Sequence, residues 1–415
     1  MANTTLTADV IAKEALVILE NDLSVLETLH RAHEDEFDQK VNGYKIGSTL
    51  SIRRPADYTV GVGPTISVQN TIEGKVQLVV DRQLNVPFSF SSTDLTLNIS
   101  QLSERCIRPA MSSLINEMTR DVFEQFYLGT YNWVGTAGST IDSFADFAKG
   151  PERMGLMSIP VANRHAALHP TDNWGLIGAQ TALNSADGLV TSAYRSGKLG
   201  MVAGIDTYES QVLPVHTNGT ADSTTPLVKG SAQEVSYDTA KNTWTQTLNT
   251  DGWDASVTIT AGSVFTIADV YMVNPKTKRT TGILQQFVVT ANVTADGTTT
   301  NTTALTISPP IITSGPHQTV TYSGDMDDNA ITLVGSASTS YRQNIFYHKN
   351  AMALAMVPME LPTGAVNPSR QSYKGMSVRV IPIYDGTNDV SNWRLDILYG
   401  RKLIDPRLAV RVSGT

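Results

Sequence analysis

Cysteine is almost absent: Cys106 is the only one in 415 residues. Without an intrachain partner for it, a disulfide scaffold is excluded, and a lone thiol fits synthesis in a reducing compartment. Charge is scarce as well. Asp, Glu, Lys and Arg make up 17% of the chain, against roughly 25% in an average domain. The 31 Lys and Arg fall short of the 39 Asp and Glu, for a formal net charge of −8. No positive excess remains to neutralise phosphates, which excludes a basic nucleic-acid reader. Long apolar runs are missing: the best, 15–19 and 351–357, are far shorter than the roughly 20 residues a bilayer requires. Asp9, Lys13, Glu14, Glu20 and Asp22 interrupt any signal-peptide core in residues 1–30. No Gly-x-Ser-x-Gly elbow occurs, and Gly61-Val62-Gly63 is followed by Pro64, which removes an N–H where a phosphate loop needs one.

What the chain does contain is apolar and hydroxyl-rich: 41% hydrophobic residues and five Trp, enough for two or three packed units and against disorder. Val10, Ile11, Ala15, Leu16, Ile18, Leu19, Leu23, Leu26 and Leu29 recur near the helical period, so residues 1–33 read as an amphipathic helix, packed on its own domain or reaching a neighbouring subunit. Residues 44–99 turn β-like, with strands around Leu50–Ile52, 76–81 and 86–90 flanking a turn-rich tip at Gly61–Pro64, a two-stranded excursion that must lie on something else. Ile107, Met111, Leu114, Ile115, Met118, Val122 and Phe126 mark a long helix over 100–128, with Pro109 predicting a kink or a late start. Residues 127–139 read as Gly-rich loop. A strand at 164–169 and a helix at 174–183 give an α/β texture that returns near Arg342. Between them, a quarter of residues 217–308 are Thr, with alternating apolar positions and closely spaced turns. That pattern predicts a small β-barrel or sandwich inserted into a host domain.

Candidate chemistry is thin. Cys106 on the long helix reads as a small buried hydrophobe rather than a nucleophile. His165 and His169, with Asp172 beyond, suit zinc only on a helix; on a strand, positions four apart lie roughly 13 Å from each other. His30 and His33, before Glu34, Asp35 and Glu36, mark a solvated helix end. Asp325, Asp327 and Asp328 lack the glycine and distal Glu of a calcium loop, and read as an acidic turn. No enzyme, cofactor or metal is expected.

The order of these elements, with several local stretches, resembles the tailed-phage major capsid proteins of the Hong Kong 97 type, and most of all the coat protein of the short-tailed Salmonella phage branch. The stretches are Gly47-Ser48-Thr49-Leu50-Ser51-Ile52-Arg53-Arg54-Pro55, Val202-Ala203-Gly204-Ile205-Asp206 through Leu213-Pro214-Val215, Ala261-Gly262-Ser263-Val264-Phe265-Thr266-Ile267-Ala268-Asp269-Val270, Leu284-Gln285-Gln286-Phe287-Val288-Val289 and Asn344-Ile345-Phe346-Tyr347-His348-Lys349-Asn350-Ala351. The resemblance implies an α+β capsid fold with an inserted small β-barrel. Its parts are an arm (1–45), an extended β-hairpin loop (46–92), a spine helix and peripheral domain (93–150), an axial domain (151–215), the inserted domain (216–344), and a second axial part returning to the peripheral domain (345–415).

The implied function is self-assembly, as pentamers and hexamers, into an icosahedral virion shell built in the bacterial cytoplasm. Implied partners are further copies of the chain, a separate scaffolding protein, a portal protein at one vertex, packaged double-stranded DNA without sequence-specific contacts, and optionally a decoration protein; no membrane is involved. The scaffolding protein is expected to be separate because the chain opens directly on the arm. Leu16, Leu19, Leu23, Arg53, Arg54, Val62, Pro64 and Lys75 are the expected intersubunit contacts. Lys–Asn cross-linking is known in the family, and Lys75 lies in the hairpin, but no partner or catalytic carboxylate is identified for it. Hinges are expected at 61–64 and 127–138. The rival reading, a secreted Thr-rich adhesin or sugar-binding module, leaves the long helix and hairpin unexplained and lacks an export signal.

Overall fold

A computed structural model describes residues 8–22, 25–33, 40–41, 44–45, 47–61, 63–64, 68–91, 106–181, 199–221, 226–296, 302–365, 367–373 and 376–415. The chain divides into two compact units: residues 1–51, 77–122 and 352–402 form the first, and residues 52–76, 123–351 and 403–415 the second.

In the first unit, helix α1 (Ala8–Asp22) lies on the strands Ser369–Tyr373 and Met376–Asp385. It buries Ile11, Ala12, Ala15, Leu16, Ile18 and Leu19, the stripe that their spacing places on one face. Asp9 accepts hydrogen bonds from Ser369 and Gln371, which fixes the helix start to the sheet. The expected 33-residue helix ends at Asp22. Beyond it come a 3-10 turn, Leu26–Thr28, and His30, whose N–H donates to Met352 O (3.1 Å) while its carbonyl accepts from Leu354 N (3.0 Å). The charged residues after His30 offer no apolar face to extend a helix.

The sheet of this unit runs in the order Ser369–Tyr373, Met376–Asp385, Val390–Leu403, Lys75–Ser91, Thr49–Arg53. The second β-like stretch, expected over 76–81 and 86–90, is one 17-residue strand, Lys75–Ser91. It is no free ribbon, because Val390–Leu403 pairs with it from Val390↔Ser91 to Gly400↔Val80. A bulge falls between Tyr399 and Gly400. A Cβ on Gly400 would stand 2.4 Å from Val79 O, so only glycine lets the strands close there. Buried Asp396 accepts from Arg379 (2.7 Å) and from Arg394 (2.6 Å).

Helix α2 (Arg108–Gly129) has 22 residues and is about 33 Å long. Pro109 stands in its opening turn, where a missing N–H costs nothing, so the late start is realised. Asp121 on this helix accepts from Tyr399 OH (2.7 Å) and Arg401 (2.7 Å), tying the helix to the sheet. Burial and the Asp121 carboxylate both raise the Tyr399 hydroxyl well above its usual range, keeping it a donor.

In the second unit, a six-stranded sheet runs Trp133–Val134, Ala409–Val412, Asn344–His348, Arg164–Leu168, Ile205–Glu209, Met201–Val202. Helices α3 (Phe144–Leu156) and α4 (Pro170–Thr181) complete it, and Phe147, Met154, Leu168, Leu176, Phe346, Val410 and Val412 share one core. Ser143 caps α3, accepting from Asp146 N and donating to Asp146 Oδ2. The stretch expected as a Gly-rich loop, 127–139, instead holds the buried strand Trp133–Val134. Flanking Gly129 and Gly135 hid a short run of strand-forming Tyr131, Trp133 and Val134.

The Thr-rich segment leaves and rejoins this sheet through a neck of two antiparallel strands, with Val215 opposite Arg342, His216 opposite Tyr341 and Thr217 opposite Ser340. Beyond the neck, an antiparallel seven-stranded sheet and the two-stranded ribbon of Ala255–Ile259 and Val293–Asp296 stand beside one core containing Leu248, Ile259, Phe265, Ile267, Phe287, Val289, Leu305 and Ile307. Alternation along these strands puts one face inward, while the Thr-rich positions take the other.

Replacing Asp396 by Ala should lower stability by about 3 kcal/mol, because it leaves the largely covered Arg379 without its carboxylate. Arg394→Ala, at a half-exposed partner, should cost less than about 1 kcal/mol. Urea unfolding checks the contrast, and equal effects would contradict it.

Candidate functional site

Of the residues singled out for chemistry, His30 and His33 meet edge to face with ring centres 5.0 Å apart, with no third ligand-type side chain among the described residues clustered on them. His165 lies on the strand Arg164–Leu168, with Nδ1 3.7 Å from Asp206 Oδ2, and burial lowers its imidazole pKa. Cys106 is partly buried. Asp325 Oδ1 accepts from Asp327 N (3.0 Å), and Asp327 accepts from Gly230 N, which makes this acidic stretch a turn brace. Among the described residues, no three His, Cys, Asp or Glu side chains cluster as metal ligands, and no helix is long and apolar enough to cross a membrane.

A different feature stands out between Ile52 and Val76. After the strand Thr49–Arg53, the chain runs from Arg54 to Gly74 outside any strand or helix among its described residues. Thr59 and Gln69 clasp through the Gln69 amide, which accepts from Thr59 N (2.9 Å) and donates to Thr59 O (2.6 Å). Tyr58 OH and Thr71 Oγ1 form a second rung at 3.0 Å. Side chains thus substitute for the ladder that two strands would make. Val60 is 90% and Val68 88% exposed, and Tyr58 is exposed as well. Apolar side chains so open on one segment make it the candidate interaction surface.

The expected contact residues divide. Arg53 is exposed and pairs with Glu73 at 3.3 Å; Pro64 and the Lys75 side chain are exposed. Leu23 and Val62 lie outside the described residues. Leu16 and Leu19, expected at a neighbour, are covered by strands of their own unit. Arg54 is also turned inward, donating to Ile404 O (3.0 Å) and Lys241 O (3.3 Å). An apolar stripe and a basic dipeptide carry no mark of which copy they face, so sequence reasoning could not separate these from Arg53 and Pro64. Val60 and Val68 were missed, although two β-branched residues in a turn-rich stretch were a readable signal.

The neck of the β module is held by a residue with no sequence signal. Arg411, 1% exposed, donates to Tyr127 O in the last turn of α2, to Gly262 O in the module (2.8 Å) and to Gln343 at the module's exit. Its guanidinium lies 5.4 Å from the Tyr127 and Trp133 ring centres. Burial lowers this arginine to about 9. Its placement beside the C-terminal carbonyls of a helix offsets part of that cost. Burial, and then Arg411, lowers His216 in the neck to about 4.

Residues 6–414 match the family described as P22 coat protein, gene protein 5. This chain belongs to the P22 coat protein family. A major capsid protein of Acyrthosiphon pisum secondary endosymbiont phage 1 is 20% identical over 381 residues, 89% of each chain. Among solved structures, a chain of Mycobacterium phage Che8 is similar over 93% of this chain and 89% of its own, at 12% identity and a TM-score of 0.48. The capsid of Ralstonia phage GP4 is similar over 94% and 87%, at 9% identity and a TM-score of 0.43. As a member of the P22 coat protein family, the chain is a phage major capsid protein and a structural part of the virion. In a coat protein the functional features are surfaces and joints, and among the described residues the segment 54–74 and the Arg411 neck are the candidates.

Arg411→Met should destabilise the coat subunit by about 2 kcal/mol, since Gly262 O stays buried without a donor, whereas Tyr127 O keeps Thr130 N at 3.1 Å. His216, freed of the neighbouring charge, should titrate above 4 though still below its usual 6.5. Because its folded value is depressed, wild-type stability should fall as pH drops from about 6.5 to 4. Denaturant curves and histidine NMR titration check both; an unmoved His216 would contradict the coupling.

Proposed function

We propose that this coat protein assembles as pentamers and hexamers into an icosahedral shell around double-stranded DNA, with the segment 54–74 overlapping a neighbouring copy. The observation that carries the overlap is the open apolar pair Val60 and Val68 on a segment that, among its described residues, forms no strand or helix. A monomer gains nothing from exposing them, whereas a neighbour that covers both removes apolar area from water at about 25 cal/mol per Å². Arg53, Pro64 and Lys75 flank the same contact. The stripe of α1, including Leu16 and Leu19, serves its own unit in this reading, and Arg54 anchors the segment.

The net charge of −8 suits a wall that encloses DNA without gripping phosphates. A separate scaffolding protein, a portal protein at one vertex and rigid-body maturation complete the reading, and a shell of many modest contacts draws its strength from their number.

Val60→Asp combined with Val68→Asp tests it. Each site is open, so each change should alter subunit stability by no more than about 0.5 kcal/mol. Negative-stain microscopy should show closed shells for the wild type and free subunits or capsomers for the double variant. Normal shells from a stably folded double variant would remove the segment from the interface.

A further inference from the structure

The two ends of the segment 54–74 converge on one small part of the inserted module. On the outgoing side, Arg54 donates to Lys241 O (3.3 Å) and lies 5.5 Å from the Trp244 ring centre. Asp57 is buried and accepts from Lys276 Nζ (3.0 Å) of the module and from Arg407 (2.9 Å). On the return side, Gly74 sits so close to the module that a Cβ would stand 2.2 Å from Lys241 O. Lys75 N donates to Asn242 Oδ1 (3.1 Å). The two sides are joined by Arg54 N, which donates to Gly74 O (2.8 Å). Residues 237–244 therefore touch both roots, while Tyr58, Val60 and Val68 beyond them stay open.

The joint is charged and closed. Among the described residues, the carboxylates that act on Arg54, Lys278 and Arg407 here are Asp57 and Asp405, and Lys276 pairs with Asp57. Arg407 is held by Asp405 (2.8 Å) and lies 5.2 Å from the Trp244 ring centre. His317, also of the module, stacks on Tyr237 at 3.5 Å between ring centres, with Nδ1 3.7 Å from Asp57 Oδ2 and no hydrogen-bond partner. Lys278 Nζ is likewise covered and lacks a hydrogen-bond partner. The cavity lined by His317, Arg407, Tyr131 and Gln285 measures about 10 Å³, room for about one water. Nothing larger fits, so the cluster is a joint between segments.

We propose that the inserted β module clamps both roots of the segment 54–74, making Asp57 and Gly74 the points from which the open part swings, with His317 as the clamp's acid-sensitive member. The inference concerns the single chain and stands whether or not shells form. Acid acts in a definite direction. Burial lowers His317 to about 4; Asp57 opposes the shift, and Arg407 and Lys278 add to it. A proton on His317 therefore enters a cluster already richer in cations than in carboxylates, so root protection declines as pH falls from about 6.5 towards 4. Burial raises Asp57, but Arg407 and Lys276 outweigh it and hold its carboxyl below the ordinary range. The Asp57 pairs consequently survive until His317 has charged.

Hydrogen–deuterium exchange of the purified full-length chain tests the clamp. At pH 7, Asn242→Ala, at an exposed position, should speed exchange at Lys75 at least tenfold, and Asp57→Asn should do the same across 54–57. The module strands Gln246–Asp251 and Thr303–Ser308 should keep wild-type rates. Unchanged root exchange in Asn242→Ala, or equal acceleration of the module strands in both variants, would overturn the clamp. Between pH 7 and pH 5, after correction for intrinsic exchange chemistry, wild-type roots should lose protection several-fold and His317→Gln roots should not. Roots equally protected at both pH values in the wild type would overturn the role of His317.

Discussion

A buried arginine without a carboxylate decides how the second unit holds together. Arg411 spends its donors on carbonyl and amide oxygens from the end of the long helix, the β module and the module's exit, and rests against two aromatic faces. A buried cation is tolerable only where such acceptors converge, so the helix end, the neck and the C-terminal strand cannot shift independently without stranding it. The same charge depresses His216 in the neck, adding to the effect of burial. The Thr-rich module is thus rooted at its neck, and the middle of the stretch expected as a hinge, residues 130–134, is buried.

The segment between Ile52 and Val76 divides differently. Its roots carry charge and are buried, whereas its far part carries valines and is open. That combination suits a coat protein, in which a projecting segment must be aimed by its own subunit and satisfied by another. In the proposed shell, aromatic and ionic contacts at the root would restrict direction, while dispersive apolar contact at the tip would tolerate differing geometry between copies.

Much of the architecture was legible in the residues. The spine helix announced itself by Met111, Leu114, Ile115, Met118 and Val122, and the neck by the composition shift near Val215 and Arg342. Period and composition are local properties, and those elements are local. The misreadings fell where long-range contact overrode local pattern. Trp133–Val134 is a strand because Ala409–Val412 lies beside it. Leu16 and Leu19 had the right periodicity and the wrong expected partner, since an apolar stripe states that it must be covered without stating by what.

The scarcity of cysteine and charge, the helical and alternating periods and the Thr-rich insertion were determined by sequence alone, and they sufficed for the order of the parts, while the class of protein came from the resemblance of that order and of local stretches to a known family. Only the tertiary structure decided which polar residues matter. Arg54, Asp57, His317 and Arg411 are ordinary letters in ordinary contexts, separated by up to several hundred positions. Their significance arises from desolvation and from a few ångströms of separation, and neither quantity exists until the chain has folded.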